Sequence, residues 1–204
     1  MKFLRRLFKA PTAEPPPEGV PVSPEEFGTY SFTVVHDLAF SGGQKSFVSE
    51  FRQFSLDAER LGVGRPLDIR DGRFRVEYVA FLLGAVNQAV ALPLGEMVAR
   101  RVRTAGAKSA VETFCNQLGK RGSGIRWPEV AVDIRSKAQK YATMGSELGS
   151  GEEFSSLGAY AARELTLAPA DPFGAACLVQ QYLKTFMITT TLMDRNPIQR
   201  PPER

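Results

Sequence analysis

VEYVAFLLGAVNQAVALPL, residues 76–94, is the stretch whose environment decides the fold. It is apolar over about five helical turns, nearly long enough to cross a bilayer. Glu77, Asn87, Gln88 and Pro93 interrupt it, and the mid-segment Asn-Gln pair would need hydrogen-bonding partners in lipid. The reading that meets those demands is a buried core helix, kinked or ended by Pro93. A buried helix needs other helices packed against it.

The flanking sequence supplies them. C-terminal to Pro93 a short basic continuation runs to Arg103, and a further helix covers Lys108 to Leu118, with Val111, Phe114 and Leu118 as its stripe and Gly119 as its stop. Pro128 suits the first turn of a helix to about Leu148, whose buried face would be Val130, Ile134, Ala138, Tyr141 and Leu148. Ser150 and Glu153 form a capping-box pair ahead of Phe154, Leu157, Ala161 and Leu165. Asp171 and Pro172 open the last helix, which Pro197 closes. Leu178, Val179, Tyr182, Leu183, Phe186, Thr190 and Met193 cover more than half of its wheel, leaving Gln180, Lys184 and Thr191 as a polar edge. That pattern places the last helix at the centre of the bundle, where Phe186→Ala would cost about 3–5 kcal/mol.

N-terminal to residue 76, Phe47, Phe51, Phe54, Ala58 and Leu61 form one helical stripe ended by Gly62. Residues 29–35, TYSFTVV, are β-branched and aromatic and read as a strand, and Asp71-Gly72 between short alternating runs reads as a hairpin turn. The expected fold is mostly α: a globular bundle of about six helices with a minor β-hairpin or short strands in its N-terminal third. The expected organisation is a basic peptide and proline-rich tether over 1–24, one helical domain over 25–197, and a disordered tail over 198–204.

Composition agrees with a folded chain, at 43% apolar and 24% charged over 204 residues. The two cysteines, Cys115 and Cys177, read as buried thiols inside helices rather than as a disulfide framework. One histidine and two cysteines at no ligand spacing do not make the usual zinc site, and neither a metal nor a cofactor is expected. His36 beside Asp37 reads as a structural residue, and Glu129 with Asp133 as complements to a helix dipole. No catalytic residue is assigned.

Three features remain as interaction candidates. The first is the N-terminal peptide, with Phe3, Leu4, Leu7 and Phe8 on one arc of a wheel and Lys2, Arg5, Arg6 and Lys9 on the other. Six prolines follow within residues 10–24, an extended spacer. A helix this short does not hold together alone in water, so the peptide would order on an anionic bilayer or in a partner's groove. The second is the region from Val98 to Lys140, where ten Lys or Arg face three acids. Within it Arg100, Arg101 and Arg103 share one turn, and Lys120, Arg121 and Arg126 lie in a glycine-rich loop ending at Trp127. The third is SGGQKS, residues 41–46, which departs from the phosphate-binding loop at Ala39 and Gln44.

These features lead to a non-enzymatic adaptor or assembly subunit, docked through its N-terminal peptide to a larger protein complex or an anionic membrane surface. A nucleic-acid-binding protein using the basic surface 98–140 is the alternative, followed by a small enzyme or nucleotide binder centred on Gly42-Gly43. The expected location is cytoplasmic and peripheral at a membrane, or the mitochondrial matrix if residues 1–9 act as a presequence.

Overall fold

The computed structural model describes residues 16–41, 46–60, 72–118, 126–147, 151–166 and 172–199. Among them are seven helices: α1 Pro24–Phe40, α2 Phe47–Arg60, α3 Gly72–Leu94, α4 Glu96–Leu118, α5 Trp127–Ser146, α6 Gly151–Thr166 and α7 Pro172–Arg195. These residues form a helical bundle, and the expected minor β-hairpin is not supported among them.

Residues 29–35, read above as a strand, are the middle of α1. Their β-branched content is overridden by a strong start signal. Ser23 accepts from the Glu26 backbone amide at 3.2 Å, while the Glu26 carboxylate accepts from the Ser23 amide at 2.9 Å. This is a complete capping box with Pro24 in the first turn. Phe27, Ser31, Phe32, Val35, His36 and Ala39 then recur on one buried face. The second arm of the expected hairpin, from Gly72, is the first turn of α3; residues 61–71 lie outside the described residues.

The segments expected from 94 to 103 and from 108 to 118 are one continuous helix, α4. Pro93 closes α3, Gly95 turns the chain at φ +81°, and α4 begins immediately. Gly106 does not break α4, because it faces Leu83 and the Gly28 carbonyl across close helix contacts. Gly28 in turn lies against the Val102 carbonyl so tightly that a β-carbon would collide with it. The α1 and α4 axes are thereby drawn together around Gly28 and Gly106.

The centre of the bundle is α3, which packs against α1, α4, α5, α6 and α7. Tyr78, Val79, Ala80, Phe81, Leu82 and Ala85 are sealed from solvent. By length and composition α3 alone among the described residues could cross a membrane, and here it is mostly buried inside the bundle. Its buried acid is partnered. Glu77 accepts from the Tyr141 hydroxyl at 2.6 Å and is bonded to Lys137, which also lies 3.2 Å from Asp133. Burial disfavours the Lys137 ammonium, but Glu77 and Asp133 outweigh it and raise the pKa above the usual lysine value.

Helix α7, expected at the centre, lies to one side against α3, α6 and α2. Leu178 and Tyr182 are buried as expected, yet Leu183 and Met187 are 38% and 68% exposed and Phe186 is half-buried. The inward face instead carries Gln181, Thr185 and Thr189, all buried. Thr185 and Thr189 donate to the carbonyls one turn back, at 2.8 Å each, and Gln181 donates to the Phe47 carbonyl at 2.9 Å. Hydroxyls satisfied by their own helix bury at little cost, so hydropathy alone misorients this helix.

The two ends of the described chain are clipped together. The Gly19 amide donates to the Arg195 carbonyl, Val22 to Pro197 and Gln199 back to Val22, at 2.8–3.0 Å. Asn196, buried, donates to the Pro17 carbonyl at 2.7 Å, and Val22 and Ile198 both join the core. The clip takes in residues 17–22, within the expected tether, and residues 198 and 199, within the expected tail.

Candidate interaction surface

The basic surface read from residues 98–140 is divided by the fold. Arg100 and Arg101 are on the side of α4 that faces α1, where they line a groove of about 340 Å³ with Glu25, Thr29, Thr104, Ala105 and Lys108. Arg103, two residues on, turns to the opposite side. Its guanidinium bonds Gln139 and, at 3.1 Å, Glu96, and its side chain is only 10% exposed. Arg126 is at the start of α5, where it forms a 2.9 Å ion pair with Glu129. Trp127 rests half-buried against the core. Lys120 and Arg121 lie outside the described residues, as do residues 1–9 and Gly42-Gly43.

Parallel packing of α1 on α4 builds the groove. Glu25 is level with Arg101, Gly28 with Val102 and Ala105, and Thr29 with Ser109, whose hydroxyl is 3.3 Å away. Arg101 makes a two-pronged bond to Glu25, with Nε to Oε1 at 2.7 Å and Nη2 to Oε2 at 2.9 Å. The fork holds the Glu25 carboxyl below the usual carboxylate range, against the opposing effect of burial. Arg100 is exposed and has no acidic partner among the described residues, and Lys108 meets only Glu112, at 3.9 Å. The groove therefore holds three cations and one acid over a floor of small side chains.

Glu25 and Lys108 were absent from the candidate residues. The Glu25 bond spans 76 positions, which no local pattern reveals. Lys108 was recoverable, since Arg100, Thr104 and Lys108 recur every four residues and share one helix face.

A second hollow, of about 290 Å³, lies among the end of α3, the start of α4 and α5 and is lined by Asn87, Gln88, Glu96, Gln139 and Thr143. The Asn87 amide is oriented best with its carbonyl toward Arg103 at 3.0 Å and its NH2 toward the Ala99 carbonyl at 3.3 Å. This network joins three helices and supplies Asn87 with partners, while the buried Gln88 side-chain oxygen has none among the described residues.

Of the residues weighed for chemistry, His36 is fully buried between the rings of Phe32 and Phe40, at 5.8 and 5.2 Å between centroids. Burial lowers its pKa, Asp37 opposes this, and Arg75 adds to it. Cys177 is buried, and burial pushes its thiol up to about 11. Cys115, expected to be buried, is exposed because it falls on the outer face of the last turns of α4. Both thiols are free. Glu129 and Asp133 are drawn to different partners, Arg126 and Lys137. Among the described residues no three His, Cys, Asp or Glu side chains group at metal-binding distance.

The chain matches no family model, no curated protein and no solved structure.

Proposed function

We propose that the protein is a non-enzymatic adaptor that docks through residues 1–9 and engages an anionic partner with its folded domain. The observation that carries this reading is the α1–α4 groove, where Arg100, Arg101 and Lys108 gather around one acid. The polar clusters elsewhere support it by contrast. Glu77 with Lys137 and Tyr141, and Gln181 with Tyr78, join helices to one another. The nucleic-acid alternative draws less support, because Arg103, Arg126 and Lys137 of the basic region are engaged with Glu96, Glu129 and Glu77.

The arm is tested by co-sedimentation of the full chain, and of a chain lacking residues 1–15, with phosphatidylserine-containing vesicles. Four basic and four apolar residues in the arm predict reversible, salt-sensitive binding that disappears on deletion. Equal recovery of the two chains would remove the membrane-docking role from the arm.

A further inference from the structure

We propose that the α1–α4 groove binds an acidic, extended segment of a partner protein, and that Glu25 occupies part of the site in the free protein as an internal substitute for the partner's carboxylate. This rests on the adaptor reading and names the partner of its groove. The Arg101 guanidinium already receives a carboxylate with both oxygens, at 2.7 and 2.9 Å, so the site displays the geometry of the group it would accept. Arg100 and Lys108 flank that fork on the same face of α4. They are eight residues apart, which is about 12 Å along a helix. An extended peptide covers that distance in about four residues. The matching ligand therefore carries two carboxylates at positions i and i+4 of an extended chain.

Other anions fit less well. Among the described residues no aromatic ring lines the groove on which a nucleic-acid base would stack. Glu25 sets a negative charge among the cations, which repels a dense polyphosphate more than a peptide with spaced charges. The floor of Thr29, Thr104 and Ala105 is made of small side chains and admits a peptide backbone. A volume of about 340 Å³ takes two or three side chains rather than the body of a helix.

The substitute makes an unusual prediction, namely that removing an acid from this chain strengthens binding. In fluorescence anisotropy with the full-length chain, the probe is a labelled Ser/Gly peptide carrying two glutamates four residues apart. Glu25→Gln is expected to bind it about two- to fivefold tighter, the range of one exposed ion pair released. Arg100→Ala with Lys108→Ala is expected to weaken binding about tenfold, and raising salt to weaken the wild type. The same peptide with glutamines, and one with adjacent glutamates, should bind more weakly. Thermal melts run beside each variant keep the comparison below all midpoints.

Absence of binding by the wild type, a Glu25→Gln variant that binds no tighter, or a double variant that binds equally well would each overturn the proposal. So would displacement of the peptide by single-stranded RNA or phosphatidylserine vesicles at lower charge concentration than by the unlabelled peptide. The vesicle assay depends on residues 1–15 and the peptide assay on residues 25, 100 and 108. Loss of one with retention of the other separates failure of the arm from failure of the groove.

Discussion

Helices α3 and α7 read almost alike as sequences, both long and apolar, and the fold uses them in opposite ways. Helix α3 is enclosed on nearly every side, and Glu77 and Asn87 are carried into the interior because α5 and α4 bring Lys137, Tyr141 and Arg103 to meet them. Among the described residues, helix α7 packs against α2, α3 and α6. It turns Gln181, Thr185 and Thr189 inward and leaves Leu183 and Met187 in water. Burial thus follows how many neighbours a helix has and whether its polar groups are satisfied, more than it follows hydropathy.

The largest expected break of this contrast is in α3. Glu77→Ala removes the carboxylate that holds Lys137 and the buried Tyr141 hydroxyl, and should cost about 3 kcal/mol or more in urea unfolding. A cost below about 1 kcal/mol would mean that this network contributes little to the packing of α3 on α5. On the inner face of α7, Gln181→Met keeps the volume but leaves the buried Tyr78 hydroxyl and the Phe47 carbonyl without Gln181, for about 2–3 kcal/mol. If the methionine variant were as stable as the wild type, the inward polar stripe would not be a structural element.

Phe186→Ala tests the orientation of α7 directly. A half-buried ring should cost about 1–2 kcal/mol, below the 3–5 kcal/mol of a central phenylalanine. A measured loss in the higher range would restore α7 to the centre.

The boundary of α3 with α1 adds a dependence on pH. His36 has a folded pKa lowered by burial, so the unfolded chain takes up its proton first. The stabilising effect of a neutral His36 is complete above the unfolded value of about 6.5 and is lost as pH falls from there toward the lowered folded value. The urea midpoint of the wild type should drop between pH 7.5 and 5.5, and that of His36→Phe should drop less. Equal drops would assign the dependence to other groups. The smallest effect belongs to the outer face of α7, where Met187→Ser should change stability by less than about 0.5 kcal/mol. A larger loss would show that this exposed side chain is covered in solution.

Much of the helical framework is legible in the sequence because its signals are local. Pro93 followed by Gly95 ends α3, Pro128 opens α5, and Ile134, Ala138 and Tyr141 repeat on the buried face as their spacing requires. Even the misread strand at 29–35 carried its correction in Ser23-Pro24-Glu25-Glu26, a start signal stronger than the β-branched residues after it. The continuity of α4 was less accessible, because Gly106 reads as a break until Gly28 and Leu83 are seen against it. Of the candidate site, the clustering of Arg100 and Arg101 was visible, whereas the inward turn of Arg103 was not.

What the sequence by itself determined is which segments are helices and that the chain folds around apolar faces, since capping, proline placement and periodicity act within a few residues. Only the tertiary structure decided that α3 rather than α7 is central, that the basic region is split, and that Glu25 closes on Arg101. The physical reason is common to all three. Each depends on groups distant in sequence meeting at hydrogen-bonding distance, as Glu77 meets Tyr141, Arg103 meets Gln139 and Glu25 meets Arg101. The desolvation of a polar group is decided by that meeting and by no property of its own stretch of chain.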